Sequence, residues 1–277
     1  MEASLSGNGL TLLVKIGGTQ GVNFAAVCAD VADLVSQGKR LVLVHGGSAE
    51  ANRLGEQLGI PPRFITSPSG YTSRYTDRNT LEVFLMAVNG KVNALLVEQL
   101  QRLGVNALGL SGLDGGLLRA SRKENVICVE NGKRKVLHGD YTGRIEQVNT
   151  PLLSLVLDAG YLPVVAPLAV SPNGEVLNVD ADRAAASLAA ALNAEALILL
   201  TAAPGLLEKF PDETTLIRFL PRNRLTAALE MSQGRMKKKV LATEEALQGG
   251  VRQVIIADGR CEQPIRQALD GNGTVIQ

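Results

Sequence analysis

Two glycine pairs constrain this chain more than any other feature, because each pair follows an apolar strand pattern and precedes a helix pattern. Residues 12–18 read LLVKIGG, and residues 41–47 read LVLVHGG. A strand that ends in Gly-Gly before a helix exposes backbone N–H groups at the positive end of that helix, where phosphate groups bind. Lys15 adds a cation beside the first pair. Neither segment has the spacing of the two common nucleotide-binding glycine motifs, so the pattern indicates a phosphate-handling α/β protein of another kind.

Composition excludes several classes of function. The 28 Lys and Arg residues nearly balance the 27 Asp and Glu residues, so no overall basic field points to nucleic acid. Aromatic residues make up 3% of the chain, which argues against base-stacking surfaces. The three cysteines are far apart and are predicted to be reduced thiols. The chain starts without a signal-peptide pattern, and its longest apolar stretch, residues 162–170, is too short to span a bilayer. We therefore expect a cytoplasmic protein without a membrane partner.

Strand and helix patterns alternate along the chain, and the strands lack polar alternation, which is typical of a parallel sheet covered on both faces. We predict an α/β fold, a three-layer αβα sandwich around a mainly parallel open sheet. The predicted strands cover residues 11–16, 40–44, 105–110, 162–166, 196–200 and 251–256. The predicted helices cover residues 22–37, 48–58, 77–103, 151–159 and 181–192.

The segment around residues 117–145 departs from this rhythm. Two β-prone runs, residues 126–129 and 135–137, flank the sequence Glu-Asn-Gly-Lys at 130–133. Asn-Gly between such runs is a strong hairpin signal, so we predict a protruding β-hairpin region here. A soft boundary near Asn193 divides the predicted chain into an N-terminal lobe, residues 1–193, and a C-terminal lobe, residues 194–277.

Three further segments carry polar residues at or near predicted helix starts. Residues 71–77 read YTSRYTD, residues 177–185 read LNVDADRAA, and residues 231–240 read MSQGRMKKKV. With the K-x-G-G and H-G-G turns, and in this order, they resemble the amino acid kinase family in its acetylglutamate kinase branch. The resemblance covers nearly the whole chain from about Leu12. It implies an ATP-dependent kinase of side-chain carboxylates, with the acceptor and the dimer surface in the N-terminal lobe and ATP in the C-terminal lobe.

The resemblance also implies roles for individual residues. Lys15 would contact the phosphoryl group in transit, Lys239 would lie on the nucleotide side, and Asp182 would orient both lysines. Arg74 and Asn178 would hold the main-chain part of the acceptor. The backbone N–H groups that support the phosphoryl group would come from Gly17, Gly18, Gly46 and Gly47.

Plainer interpretations of the same residues stay open at this point. Lys15 and Arg74 are also compatible with surface cations, and Asp182 with a simple helix cap. His45 follows an apolar strand and is predicted to be structural. Of the three consecutive lysines at 237–239, only Lys239 is predicted to act in the site.

The implied site fits the chemistry of the reaction. A side-chain carboxylate has a pKa of about 4, so it is ionised at neutral pH and needs no general base. The obstacle is the approach of two anions, which requires cations on both sides of the transferring group and Mg²⁺ on the nucleotide phosphates. We predict that ATP carries Mg²⁺ and that the protein supplies no metal ligand.

The acceptor turn indicates which amino acid is phosphorylated. Acetylglutamate kinases usually read G-x-R-V-T there, whereas residues 70–76 read GYTSRYT, two residues longer. The longer form resembles the carrier-protein-dependent aminoadipate kinases of lysine biosynthesis, in which aminoadipate or glutamate is linked through its amino group to a small acidic carrier, LysW. Two alternatives stay open. One is an N-acetylglutamate kinase of arginine biosynthesis; the other is a non-catalytic amino-acid or nucleotide sensor, which would be expected to have lost Lys15, Asp182 or Lys239.

Basic residues of the hairpin region form a candidate docking surface for an acidic carrier. This predicted docking cluster consists of Arg119, Arg122, Lys123, Lys133, Arg134 and Lys135. The alternative is a solvated hairpin whose charged edges prevent strand pairing. The resemblance further implies a homodimer in which the long helix at residues 77–103 is the contact surface.

Overall fold

The computed structural model describes residues 11–18, 21–130, 132–232 and 234–277. The strands are β1 (Thr11–Ile16), β2 (Arg40–His45), β3 (Phe64–Thr66), β4 (Thr72–Arg74), β5 (Ala107–Ser111), β6 (Leu118–Arg122), β7 (Asn125–Glu130), β8 (Lys133–His138), β9 (Gly143–Val148), β10 (Leu162–Ala166), β11 (Leu168–Val170), β12 (Val176–Asn178), β13 (Ala196–Thr201), β14 (Phe219–Leu220), β15 (Gln253–Asp258) and β16 (Thr274–Ile276). The α-helices are α1 (Phe24–Ser36), α2 (Ser48–Gln57), α3 (Arg78–Phe84), α4 (Ala94–Arg102), α5 (Thr150–Asp158), α6 (Ala181–Ala191), α7 (Leu225–Met231), α8 (Gly234–Gln248) and α9 (Pro264–Leu269).

An eight-stranded sheet in the order β14-β16-β15-β13-β1-β2-β10-β5 forms the middle layer. Its neighbouring strands run parallel, except that β16 is antiparallel to β15. Helices α1, α4 and α9 pack into the core on one face, and α5 to α8 pack into the core on the other. The predicted three-layer sandwich around a mainly parallel sheet is confirmed, and every predicted strand and helix is present within two residues of its expected ends.

Strand β1 at the centre of the sheet is buried along its whole length, and its side chains alternate between the two cores. Leu12, Val14 and Ile16 belong to the α1 side, whereas Leu13 belongs to the α6 side. The same alternation turns Lys15 toward α6. A lysine can be held there only if α6 supplies a partner, because an unpaired buried charge is very costly.

The long helix predicted at residues 77–103 is a continuous helical run from Arg78 to Arg102, and its middle part, Leu85–Asn93, is a π-helix that the sequence pattern does not predict. By length and composition alone this 25-residue run could cross a membrane, with a mean hydropathy of 1.4. However, 44% of that apolar window is buried inside the protein. Core helices of folded proteins meet the same criterion, so the run is weak evidence for a membrane span.

The predicted hairpin is confirmed: β7 and β8 pair antiparallel, with Glu130 opposite Lys133. Gly132 has φ of 74°, a left-handed conformation suited to glycine, and Asn131 lies outside the described residues. Cys128 and Leu137 pack on Ile65 of the small β3–β4 ribbon. Strands β6 and β9 belong to a second sheet, in the order β12-β11-β6-β9.

The two predicted lobes share one sheet. Strand β1 of the first lobe pairs directly with β13 of the second, with Leu13 opposite Leu197. Asn193, at the predicted boundary, has a positive φ of 47° in the connection between α6 and β13. The division into functional lobes stays a prediction.

Candidate active site

Two lysines and one aspartate meet at the carboxyl end of the central strands. Lys15 Nζ lies 2.8 Å from Asp182 Oδ1, and Lys239 Nζ lies 2.8 Å from the same oxygen and 3.1 Å from Oδ2. The three residues are only 5%, 7% and 6% exposed, in the order Lys15, Asp182, Lys239. The triad is therefore a buried cluster with one more positive than negative charge, which favours an anionic ligand.

The triad shifts the proton affinities of its members. Burial acts to lower the pKa of Lys15, but the charge and hydrogen bond of Asp182 outweigh it and leave the pKa raised. Burial lowers the pKa of Lys239 to about 8 against the opposing effect of Asp182, and the charge of Lys15 adds to the fall. Although burial acts in the opposite direction, the two lysines hold the pKa of Asp182 well below its usual range. Lys239 is thus the member closest to losing its charge near neutral pH.

The first turn of α6 carries Asp182 into this position. Its N-cap is Asp180, whose Oδ1 accepts hydrogen bonds from the backbone N–H groups of Asp182 at 3.0 Å and Arg183 at 3.2 Å. The helix-cap interpretation of Asp182 is therefore wrong, since Asp180 caps the helix and leaves Asp182 to the lysines. The surface-cation interpretation of Lys15 is also wrong, because its side chain is buried.

The two glycine turns contact each other, backbone against backbone. A Cβ added at Gly46 would lie 2.7 Å from the Cα and N atoms of Gly18, and one added at Gly18 would overlap the nitrogen of Gly47. Glycine is thus required at Gly18 and Gly46 for close approach. The Gly17 N–H donates to the Leu200 carbonyl at 3.1 Å and the Gly46 N–H to the Ile16 carbonyl at 3.0 Å. Of the four predicted donors, these two are committed to the sheet, which leaves Gly18 and Gly47 as candidates.

The second turn leads directly into a helix. Gly47 is the N-cap of α2, and because glycine has no side chain, it leaves the first N–H groups of the helix without a side-chain cap. Helix α1 starts later, at Phe24, and the side chain of Asn23 caps it by accepting a hydrogen bond from Ala26 N at 3.1 Å. The expectation of a helix end at both turns is thus wrong for the first.

His45 is structural, as predicted. It is 0% exposed, its Nδ1 lies 2.9 Å from the Gly46 carbonyl, and its Nε2 lies 2.9 Å from Asn93 Nδ2, at the end of the π-helix. Burial lowers the pKa of His45 to about 4, so the ring is neutral at neutral pH and holds the second glycine turn.

The predicted acceptor residues lie in the same cleft as the triad. This cleft has a volume of about 830 Å³, and its lining includes Lys15, Arg74, Asn178, Asp182, Lys239 and all four glycines. Arg74 is half-buried: its guanidinium donates to Asn52 Oδ1 at 2.6 Å and Ser48 Oγ at 3.2 Å, and it lies 5.2 Å from the ring centre of Phe64. Burial lowers its pKa. Asn178 ends β12 and donates to Thr76 Oγ1 at 3.1 Å.

The predicted docking cluster does not form one surface. Arg122 is turned inward: its side chain pairs with Glu175 at 2.7 Å and stacks 3.6 Å from the ring centre of Tyr141. Lys123 lines the cleft with part of its side chain exposed, and partial desolvation by the cleft walls lowers its pKa. Lys135 is exposed and pairs with Glu130 at 3.0 Å. The other three, Arg119, Lys133 and Arg134, are exposed.

The cleft also contains residues that the sequence patterns did not indicate. Phe64, Val126 and Ile145 contribute apolar side chains to its lining, and Lys238 Nζ lies 3.7 Å from Asp180 Oδ2. Lys237 Nζ lies 5.0 Å from the ring centre of Tyr71 and so joins α8 to the acceptor turn. Tyr71, Lys237 and Lys238 lie within segments already singled out, although neither of these two lysines was predicted to act in the site. Phe64, Val126 and Ile145 carry no local signal for a site. Across the described ranges, no group of three or more His, Cys, Asp or Glu side chains has the arrangement of a metal site.

Comparison with known proteins gives consistent matches over almost the whole chain. A family model, the amino acid kinase family, matches residues 11–258. A relative from Deinococcus radiodurans, named LysW-aminoadipate kinase, is 58% identical over 265 residues, which cover 96% of this chain and 91% of the relative. A Thermus thermophilus protein of the same name is 53% identical over 268 residues, 96% of this chain and all of that protein. The solved N-acetylglutamate synthase from Neisseria gonorrhoeae aligns with a TM-score of 0.79 and 29% identity over 97% of this chain, which spans 59% of that longer one.

Proposed function

The chain belongs to the amino acid kinase family and is a phosphotransferase, and from this premise we propose that it transfers the γ-phosphoryl group of ATP to the side-chain carboxylate of 2-aminoadipate linked to a LysW-type carrier protein. The observation that carries the proposal is the buried triad of Lys15, Asp182 and Lys239, with its net positive charge. Such a fixed charge attracts the phosphoryl group without reorganisation during the reaction.

The proposed step joins two anions. A distal carboxylate oxygen bonds to the γ-phosphorus while the bond from that phosphorus to the β,γ-bridging oxygen breaks, and ADP leaves with the electron pair. Lys15 contacts the transferring group, Lys239 faces the nucleotide, and the amides of Gly18 and Gly47 support the phosphoryl oxygens. Mg²⁺ held by the nucleotide phosphates would neutralise part of their charge.

The acceptor is assigned from the relatives' names and from the acceptor turn. Two relatives more than half identical to this chain are named for the LysW-linked aminoadipate substrate. Arg74, next to Asn52 and Ser48, would pair with the α-carboxylate of the amino acid, and Asn178 would bind its linked amino group. LysW-linked glutamate is the first alternative acceptor, and free N-acetylglutamate is the second. A non-catalytic sensor is disfavoured by the intact triad.

The carrier is proposed to dock on the outer face of the hairpin and its surroundings. That face carries Arg134 between Ile127, Val129 and Val136, which are 49%, 40% and 49% exposed. An exposed arginine beside exposed apolar side chains fits contact with an acidic protein better than it fits the alternative, a solvated hairpin edge. Arg122 is removed from the docking cluster, since its charge is already paired inside the protein.

A homodimer and a cytoplasmic location complete the proposal. The outer side of the helical run at residues 78–102 exposes Met86 and Leu95, which are 49% and 50% exposed. Sedimentation velocity would give twice the 29.2 kDa chain mass for a dimer, and Leu95→Glu would lower it.

The direct test compares three acceptors in an ATP-dependent assay that traps the acyl phosphate as a hydroxamate. The acceptors are carrier-linked aminoadipate, N-acetyl-aminoadipate and N-acetylglutamate. We expect a strong preference for the carrier-linked amino acid. A preference for N-acetylglutamate would instead identify the protein as a kinase of arginine biosynthesis. No product with any acceptor would support the alternative of a non-catalytic sensor.

A further inference from the structure

Asp140 is a buried carboxylate in the turn between β8 and β9, and phosphoryl transfer by the triad does not explain it. The residue is 1% exposed, and it lies at the base of the hairpin. A buried carboxylate is costly unless it is hydrogen-bonded, so its partners indicate its role.

Each carboxylate oxygen of Asp140 accepts a hydrogen bond from the backbone of a different segment. Oδ2 accepts from the N–H of Thr76 at 3.1 Å, and Oδ1 accepts from the N–H of Thr142 at 2.6 Å. Beside them, the N–H of Tyr141 donates to the Thr76 carbonyl at 2.7 Å. The turn at the base of the hairpin is thereby fixed to the last residue of the acceptor turn.

Thr76 connects this turn to the acceptor side of the cleft. Its Oγ1 accepts a hydrogen bond from Asn178 Nδ2 at 3.1 Å, and the Asn178 N–H donates to the Tyr141 carbonyl at 2.9 Å. Thr76 itself is 0% exposed, and it follows Arg74 by two residues. The two proposed acceptor-binding residues, Arg74 and Asn178, are therefore located by segments that Asp140 joins.

The neighbouring Arg122 contacts the main chain of Asp140 and not its carboxylate. Arg122 Nε donates to the main-chain carbonyl of Asp140 at 2.8 Å, and its terminal nitrogen pairs with Glu175. We propose that Asp140 is a positioning residue that sets the location of Asn178 and of the acceptor turn, and with it the affinity for the acceptor. This inference rests on the proposed function, since it assigns acceptor binding to Arg74 and Asn178.

The variant Asp140→Asn tests the proposal, because it keeps the side-chain shape but replaces one hydrogen-bond acceptor with an NH₂ donor that faces a backbone N–H. We expect the KM for the carrier-linked acceptor to rise about 10-fold, the equivalent of one hydrogen bond, with the KM for ATP within about twofold of wild type. Asp30→Asn is the matched control. Asp30 is also 1% exposed and accepts two backbone N–H groups, from Ile265 at 2.7 Å and Arg266 at 3.0 Å, but at the contact of α1 with α9.

A second pair of variants covers the case in which Asp140→Asn does not fold. Thr76→Val removes the hydroxyl that accepts from Asn178, whereas Thr76→Ser keeps it, so only the first should raise the acceptor KM. The inference is overturned if Asp140→Asn changes the acceptor KM no more than Asp30→Asn does, if the KM values for ATP and acceptor rise equally, or if Thr76→Val behaves like Thr76→Ser. A wild-type protein inactive with every acceptor would instead refute the proposed function itself.

Discussion

Replacement of Asp182 by asparagine removes the negative charge shared by two buried lysines and keeps the shape of the side chain. Both Nζ atoms lie 2.8 Å from one carboxylate oxygen. For charges about 4 Å apart, an effective dielectric constant of 20 gives about 4 kcal/mol per ion pair. That energy corresponds to about 10³-fold in proton affinity.

The lysine that loses its charge first should be Lys239. Its pKa is already lowered to about 8 with Asp182 present, so without the carboxylate it should be neutral at pH 7. One cation of the proposed pair is then missing from the transition state. We expect kcat to fall by about 10²–10³-fold, the usual effect of removing one preorganised electrostatic contact.

Hydroxamate trapping with saturating ATP and carrier-linked aminoadipate measures this loss, and urea unfolding measures the accompanying change in stability. Asp30→Asn is again the control, since it should lose stability without a comparable loss of kcat. A turnover of Asp182→Asn within a few-fold of wild type at pH 8 would refute the role of the triad.

The pH profile provides a second reading of the same lysine. In the wild type, kcat/KM for ATP reports the free enzyme and should fall as the pH rises through about 8, because Lys239 loses its proton there. In Asp182→Asn the fall should occur at lower pH. An unchanged profile would contradict the assignment of the charge to Lys239.

Three further predictions concern other parts of the molecule. His45 has a pKa of about 4 in the folded protein and an ordinary value of 6.5, so between these values the unfolded chain binds a proton that the folded protein does not. The free energy of unfolding should therefore drop by about 3 kcal/mol from pH 6.5 to 4. Urea titrations of His45→Gln should lack that drop. Gly18→Ala should separate the two glycine turns and lower kcat by about 10²-fold. A Cβ at Gly90 would meet only the Leu85 carbonyl, at an ordinary contact distance of 3.8 Å, so Gly90→Ala should leave kcat within a few-fold. Equal effects of the two variants would remove the close-approach argument. Arg134→Glu should reduce kcat/KM for the carrier-linked substrate and flatten the salt dependence of kcat/KM. The control Arg252→Glu, at an exposed arginine, should do neither. The same response from both variants would exclude docking at the hairpin.

Much of the fold could be predicted because local patterns determine it. Apolar runs ending in glycine identified β1 and β2 correctly, and the Asn-Gly signal located the hairpin. The ordered motifs led to the amino acid kinase family, which the family match over residues 11–258 confirms. The same motifs brought Lys15, Asp182 and Lys239 into one candidate site, and the structure has them in contact.

The errors concern contacts between residues far apart in the chain. Arg122 was assigned to a docking surface because its partner Glu175, 53 residues away, has no local signature. Asp140 was overlooked for the same reason, since Thr76 lies 64 residues before it. The glycine amides were overcounted because sheet pairing with the neighbouring strand uses the N–H groups of Gly17 and Gly46. Motif order thus predicts which residues share a site, but not which of their polar groups are already paired.

Transfer of phosphate to the carboxylate is tested most directly by following an oxygen isotope. The carrier-linked aminoadipate is prepared with ¹⁸O in both oxygens of its side-chain carboxylate and incubated with unlabelled ATP and hydroxylamine. If a carboxylate oxygen attacks the γ-phosphorus, hydroxylamine then displaces phosphate at the carbonyl carbon, and the released phosphate carries one ¹⁸O while the hydroxamate keeps the other. Unlabelled phosphate and an acceptor that retains both labels would contradict the account.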